Sequence, residues 1–181
     1  LLSRMKATVI SDSIFHRVQF PRQYRVSTQV YPGMTTERML KRLRAGRVDV
    51  KGYRWVIFHI GTNDIERQDP ETGRLEESCK IIERMREMRY LVKKIEPRCL
   101  VAFSTLLPRY VDLCQKGVSL KRSHSGPCFT LNGITPDCPM KYNLKAKELN
   151  FLLHNVGDGI VKTHRSFTKY GKPLPRMFRH D

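Results

Sequence analysis

Apolar positions along the chain fall into two patterns. Short continuous runs alternate with longer stretches in which apolar residues recur every three or four positions. Residues 7–10 (Ala-Thr-Val-Ile) read as a buried strand, followed at once by the polar turn Ser11-Asp12-Ser13. Residues 25–30 read as a second strand, closed by Tyr31-Pro32-Gly33. Thr36 then stands as the N-cap of a helix with Met39, Leu40 and Leu43 on one face and Gly46 as its stop. Residues 55–60 form the most strand-like run, ending at Gly61-Thr62-Asn63-Asp64.

The clearest helical stripe covers residues 74–95, where Leu75, Cys79, Ile82, Met85, Met88, Val92 and Ile95 line one side before Pro97. A strand over 99–106, a helix over 143–156 stopped by Gly157, and a last strand over 159–163 complete the pattern. Strand–helix alternation at this spacing predicts an α/β fold. The expected form is a three-layer sandwich: a mainly parallel, five-stranded, flavodoxin-like sheet with helices on both faces. The length of 181 residues suits one domain over 1–181. Residues 108–142 break the pattern: rich in Gly, Pro, Ser and Cys, they read as an irregular insertion too long for an ordinary connection.

Charge adds a partner class. Lys and Arg number 34 against 17 Asp and Glu, a formal net charge of +17, which favours contact with a polyanion: nucleic acid, an anionic membrane surface or an acidic partner. Basic residues concentrate after the second strand (Arg38, Lys41, Arg42, Arg44, Arg47) and toward the end of the chain (Lys162, Arg165, Lys169, Lys172, Arg176, Arg179). Phe167, Tyr170 and Phe178 interleave with the second cluster, as stacking on nucleobases requires, although they equally suit a core. No apolar run approaches the roughly 18 residues of a membrane span, and no signal-peptide pattern opens the chain. The five cysteines (Cys79, Cys99, Cys114, Cys128, Cys138) lack a framework spacing, so reduced thiols in a cytoplasmic or nuclear setting are expected. Cys114, His124, Cys128 and Cys138 are four possible ligands for a structural zinc, without the paired Cys-x-x-Cys spacing of common zinc sites.

In a parallel sheet, ligands bind outside the carboxyl ends of the strands. Three polar turns fall there: Asp12-Ser13, Gly33, and Gly61-x-Asn63-Asp64. A serine is a nucleophile if a base takes its proton, a glycine lets its N–H approach a reacting oxygen, and a neutral Asn amide donates to an oxyanion. These are the parts of an acyl-transfer site without its base. Taken together the motifs resemble the SGNH (GDSL-type) hydrolase superfamily. Ser11-Asp12-Ser13-Ile14 matches its first block, Gly33 the second-block glycine, Gly61-Thr62-Asn63-Asp64 the third block in full, and Asp181 the aspartate of the fourth, Asp-x-x-His.

The resemblance implies a serine esterase that needs no cofactor for catalysis. Ser13 would attack an acyl ester, Gly33 and Asn63 would hold the oxyanion, and Asp181 would orient a histidine lying beyond residue 181. Two positions depart from the pattern: Ser11 replaces the first-block glycine, and the chain ends at Asp181, before the block's histidine. Either the piece is cut a few residues short, or the domain has no family base. His16, three residues past Ser13, is an imaginable substitute, whereas His180 beside Asp181 reads as surface. The short blocks and basic charge are similar to esterase-like domains carried by some eukaryotic retroelement proteins. The superfamily also includes non-catalytic members such as the RNA-binding domain of the germ-plasm protein Oskar. Under that second reading the basic clusters hold RNA phosphates.

Overall fold

A computed structural model of the chain describes residues 6–12, 20–21, 25–107, 129–130, 133–134, 139–162, 168–169 and 172–173. Its sheet is built from β1 (Ala7–Ser11), β2 (Val26–Val30), β3 (Trp55–His59), β4 (Leu100–Ser104) and, later in the chain, Gly159–Val161. Two short antiparallel pairs, β5 (Phe129–Thr130) with β6 (Gly133–Ile134) and β8 (Thr168–Lys169) with β9 (Lys172–Pro173), flank that last strand in sequence, which is therefore β7. The order β2-β1-β3-β4-β7 is parallel throughout. That is the flavodoxin-like order of a three-layer α/β sandwich. β1 lies inside the sheet with β2 on one side and β3 on the other, so the loops leaving β1 and β3 flank the topological switch point.

The helices are α1 (Thr36–Arg44), α2 (Ser78–Ile95) and α3 (Pro139–Leu152). In α1 the residues Thr36, Met39, Leu40 and Leu43 form the buried stripe, the spacing a helix needs to cover a sheet. The N-cap is Thr35 rather than Thr36: its hydroxyl accepts from the Arg38 N–H at 3.3 Å, while Thr36 is turned inward and fully buried. At the other end Gly46 takes φ +63°, as the sequence pattern anticipates. α3 opens on Pro139, whose missing N–H costs nothing in a first turn, and buries Ala146 and Leu149.

α2 begins four residues later than its apolar periodicity suggests. Residues 69–73 (Asp-Pro-Glu-Thr-Gly) make a tight turn instead, with Asp69 accepting from the Glu71 and Thr72 N–H groups at 3.0 and 3.1 Å. The turn pairs Leu75 with Gln68. Cys79, expected on the apolar stripe, is exposed, and Ile81 takes its place beside Ile82, Met85, Met88 and Val92. Asx-type hydrogen bonding thus overrides helical periodicity where the two compete. The other strands and α3 match the pattern to within a few residues at each end. The expectation of helices on the second face of the sheet falls largely on segments outside the described residues, as does most of the 108–142 insertion. No helix among the described residues is long and apolar enough to cross a membrane.

One core unites the sheet and its helices, with Ile10, Val56, Phe58, Val101 and Phe103 from the strands meeting Met39, Leu43, Ile81, Met85, Met88 and Leu149. Phe58 and Phe103 stack at 5.5 Å between ring centroids. The β4–β7 edge is tied to α2 by Asp158, which accepts from the Val101 N–H at 2.9 Å, Arg89 at 2.6 Å and Lys93 at 2.9 Å. Burial alone would raise the Asp158 carboxyl, but these three donors hold it down to about 2. Asp158→Ala removes a shared acceptor and strands the Val101 N–H, so it should lower stability by about 2 kcal/mol. Urea unfolding at neutral pH with an unchanged m-value is the measurement.

Candidate active site

The loop after β2 is a turn that its sequence dictates. The Met34 N–H donates to the Tyr31 carbonyl at 3.2 Å, Pro32 fills the position that wants a fixed φ, and Gly33 takes φ +65°. That is the signature of a type II turn, in which the third residue needs the left-handed region. A Cβ on Gly33 would meet nothing within 4 Å, so backbone conformation rather than space selects glycine here. The loop after β3 has a different reason for its glycine. Gly61 has φ +120°, and a Cβ there would sit 2.8 Å from Met85 Cε. Gly61 leads into a single 3-10 turn over Thr62–Asp64, closed by the Asp64 N–H on the Gly61 carbonyl at 3.1 Å.

The two loops meet. Asn63 Nδ2 donates to the Met34 carbonyl at 3.0 Å. An amide nitrogen carries two hydrogens, so this bond leaves a second N–H and fixes the plane in which it lies. Asn63 is half-buried, whereas its neighbour Asp64 has no solvent exposure. Asp64 accepts from the Thr36 N–H at 3.0 and 3.1 Å and from the Thr36 hydroxyl at 2.6 Å. Arg84 Nε donates to that hydroxyl at 2.7 Å, and its terminal nitrogens hold Glu76 at 2.6 and 2.7 Å and reach Asp64 at 3.4 Å. Desolvation raises the Asp64 carboxyl above its ordinary value against the pull of Thr36 and Arg84. Burial would lower the Arg84 guanidinium, but Glu76 and Asp64 keep it above its usual value.

The carboxyl end of β1 lies beside the start of the loop after β3. Ser11 lies opposite His59 of β3 in register, and the Asp12 N–H points at the His59 carbonyl at 3.4 Å. Asp12 is buried at this edge, and Ser13 follows it in sequence outside the described residues. Among the predicted catalytic residues, Gly33 and Asn63 therefore come together one residue apart across a hydrogen bond. Ser13 and Asp181 lie outside the described residues, as do His16 and His180.

No protein-family model and no curated protein matches the sequence. Solved structures do match its fold. A GDSL-like lipase from Bacteroides thetaiotaomicron superposes with a TM-score of 0.60 at 14% identity, over 98% of this chain and 78% of that one. A protein described as an acylhydrolase from Bacteroides fragilis gives 0.59 at 18%, over 97% and 76%. A carbohydrate esterase family 3 protein from Talaromyces cellulolyticus gives 0.53 at 12%, over 95% and 89%. The chain has the SGNH hydrolase fold.

In this SGNH-type fold the carboxyl edge of the sheet is lined by a buried polar layer. Ser11, His59, Ser104 and Thr105 are all buried, and His59 Nδ1 is hydrogen-bonded to the Ser104 hydroxyl. Burial lowers the His59 imidazole to about 4, so it is neutral at pH 7. The residue sits at the end of an otherwise apolar strand, and only that position hinted at a role. Among the described residues no three His, Cys, Asp or Glu side chains converge to hold a metal. The four candidate zinc ligands Cys114, His124, Cys128 and Cys138 lie outside the described residues.

The basic residues of the first cluster are partly engaged within the fold. Lys41 pairs with Glu37 at 2.8 Å, Arg44 with Glu87 at 2.5 Å, and Arg42 lies 5.0 Å over the Tyr31 ring. Arg38 reaches the Gly33 carbonyl at 3.4 Å, which places it at the rim of the candidate site. Arg47 lines a groove with Lys51 and Lys94 near the amino ends of β3 and β4. Of the second cluster, exposed Lys162 follows β7 and Lys169 and Lys172 fall in the β8–β9 pair, while Arg165, Arg176 and Arg179 lie outside the described residues.

His59 sets a pH dependence whose sign is fixed. Its folded value of about 4 lies below the ordinary 6.5, so the unfolded chain takes up the proton first. The stability of the neutral, buried form is complete above pH 6.5 and drains as the pH falls toward 4. The loss should be on the order of 3 kcal/mol. Urea titrations across that window check it: wild type should lose stability with a slope that His59→Gln lacks.

Proposed function

We propose that the chain is an SGNH-type serine esterase domain acting on a carboxylic ester. The observation that carries this reading is the Asn63–Met34 hydrogen bond, which sets an amide donor and the Gly33 turn side by side at the carboxyl edge of β1 and β3. The chemistry assigned to the site is acyl transfer. Ser13 Oγ attacks the ester carbonyl carbon, and its proton passes to the imidazole of a histidine that Asp181 orients. The block's pattern places that histidine three residues after Asp181. The carbonyl oxygen becomes an oxyanion held by the Ser13 and Gly33 N–H groups and the Asn63 amide. Collapse expels the alcohol, which takes the proton from the imidazolium, and water then releases the acid by the same sequence of steps.

The named neighbours support the acyl chemistry through their own descriptions as lipase, acylhydrolase and esterase. Within the first basic cluster, Lys41 and Arg44 form exposed ion pairs with Glu37 and Glu87 of the fold itself.

Hydrolysis of a short-chain p-nitrophenyl ester by the protein carrying the residues that follow Asp181 provides the test. Asn63→Ala should lower kcat about 100- to 1,000-fold, the loss of one oxyanion donor, or about 3 kcal/mol in the barrier. Ser13→Ala should reduce turnover to background. Equal rates for wild type and Ser13→Ala would sink the reading.

A further inference from the structure

The Thr36 hydroxyl has one proton, and its surroundings settle where that proton goes. Asp64 Oδ1 lies 2.6 Å away and has no proton to give when ionised, so the hydroxyl donates to it. The hydroxyl must then accept on its other side, and Arg84 Nε supplies that donor at 2.7 Å. Arg84 in turn is held by a two-point contact with Glu76, whose oxygens lie 2.7 and 2.6 Å from its terminal nitrogens. The guanidinium is therefore fixed in plane as well as position, which a lysine ammonium cannot reproduce. Arg84 is 16% exposed, Glu76 10% and Asp64 not at all, so water does not substitute for any member.

The chain of contacts starts on α2 and ends on the two loops that carry the proposed oxyanion donors. Asp64 directly follows Asn63, and Thr36 is two residues past Met34, the carbonyl that Asn63 holds. Glu76 is itself anchored: its N–H donates to the Arg67 carbonyl at 2.9 Å, and its carbonyl accepts from Lys145 of α3.

We infer that Arg84, braced by Glu76, is a positioning residue for the oxyanion pocket: it orients the Thr36 hydroxyl so that Asp64 clamps the start of α1 and sets the Gly33–Met34 turn against the Asn63 amide. This rests on the esterase reading for its kinetic consequence but not for its structural one. Arg84 touches no reacting atom. Its effect on turnover passes through the placement of Gly33 and Asn63, and displacements of about 1 Å in such donors cost about 100-fold in rate.

Two readouts separate the clamp from simple scaffolding. In ester hydrolysis by the protein extended past Asp181, Arg84→Met should lower kcat roughly 10- to 100-fold with KM changed by less than about twofold. Arg84→Lys, which keeps the charge without the fork and protects folding, should do the same. Thr36→Val should match them, and Thr36→Ser should restore the rate. In an Asn63→Ala background Arg84→Met should cost less than in wild type, because one of the two donors it positions is already gone. An unchanged kcat, or a loss that multiplies in full onto that of Asn63→Ala, would overturn the inference.

Backbone hydrogen exchange is the arm that needs no activity. Both Arg84 variants should speed exchange at Met34, Thr36 and Asp64 while leaving Val56 and Val101 in the sheet protected. If wild type shows no Ser13-dependent hydrolysis, the esterase reading fails and exchange alone decides the clamp. Unchanged protection at Thr36 would then refute it.

Discussion

A carboxylate with no solvent contact must have its charge met by donors within the fold, and Asp64 draws those donors from two separate helices. Thr36 brings the first turn of α1, Arg84 brings the middle of α2, and Glu76 enters because Arg84 needs a second anion once it is out of water. Lys145 extends the set to α3 through the Glu76 carbonyl. The positive end of α1 faces the Asp64 oxygens, so the helix dipole adds to the hydrogen bonds. One buried charge thus aligns the three described helices with the loop after β3, and the apolar core fills in beneath an arrangement that electrostatics has set.

That arrangement sits at the switch point of the sheet. β1 lies between β2 and β3, so the carboxyl ends of these three strands sit side by side, with the loops after β2 and β3 leaving from that edge. Topology brings the loops near one another, but it does not fix donors to a few tenths of an ångström. The type II turn at Pro32-Gly33, the 3-10 turn after Gly61 and the Asn63–Met34 bond supply the finer placement. Donors held this way need no reorganisation when charge develops, and that is the basis of oxyanion stabilisation. The buried layer of Ser11, His59 and Ser104 lies beneath the same edge. Its polar groups hydrogen-bond within the sheet ends, Ser11 to the Asp12 carbonyl and His59 to Ser104.

Whatever in this structure follows from local chemistry was readable in the residues. The apolar runs gave all five sheet strands, Pro32-Gly33 gave its turn, and Gly61-Thr62-Asn63-Asp64 marked the loop that meets it. What escaped depends on partners distant in sequence. Thr35 and Thr36 are equally good caps as letters, and only Asp64, 28 residues away, selects the second for burial. Arg84 reads as one more cation on a mixed-charge helix until Glu76 and Thr36 are beside it. The start of α2 was misplaced because Leu75 satisfies the helical period while Asp69 and Gly73 satisfy a turn, and hydrogen bonds to the Asp69 side chain win. Ser13, Asp181 and the four candidate zinc ligands remain readings of sequence alone.

The charge excess takes on a different meaning once the acids are located. With 17 carboxylates against 34 basic side chains, the acids are the scarce species, and the structure shares several between two cations. Glu37 serves Lys41 and Arg67, and Asp158 serves Arg89 and Lys93, whereas Arg84 is the reverse case, one cation between Glu76 and Asp64. Two hydrogen-bonded cations pull the partly exposed Glu37 carboxyl down to about 2. Removing Glu37 or Asp158 unpairs two cations in a field that is already positive, so its cost exceeds that of a lone surface ion pair. Surplus cations at the surface interchange more freely, because each is screened by water and salt. Among the described residues the acids that carry the fold are few: Glu37, Asp64, Glu76 and Asp158 hold α1, α2 and the sheet edge in place, and each matters more because so few acids oppose the positive charge.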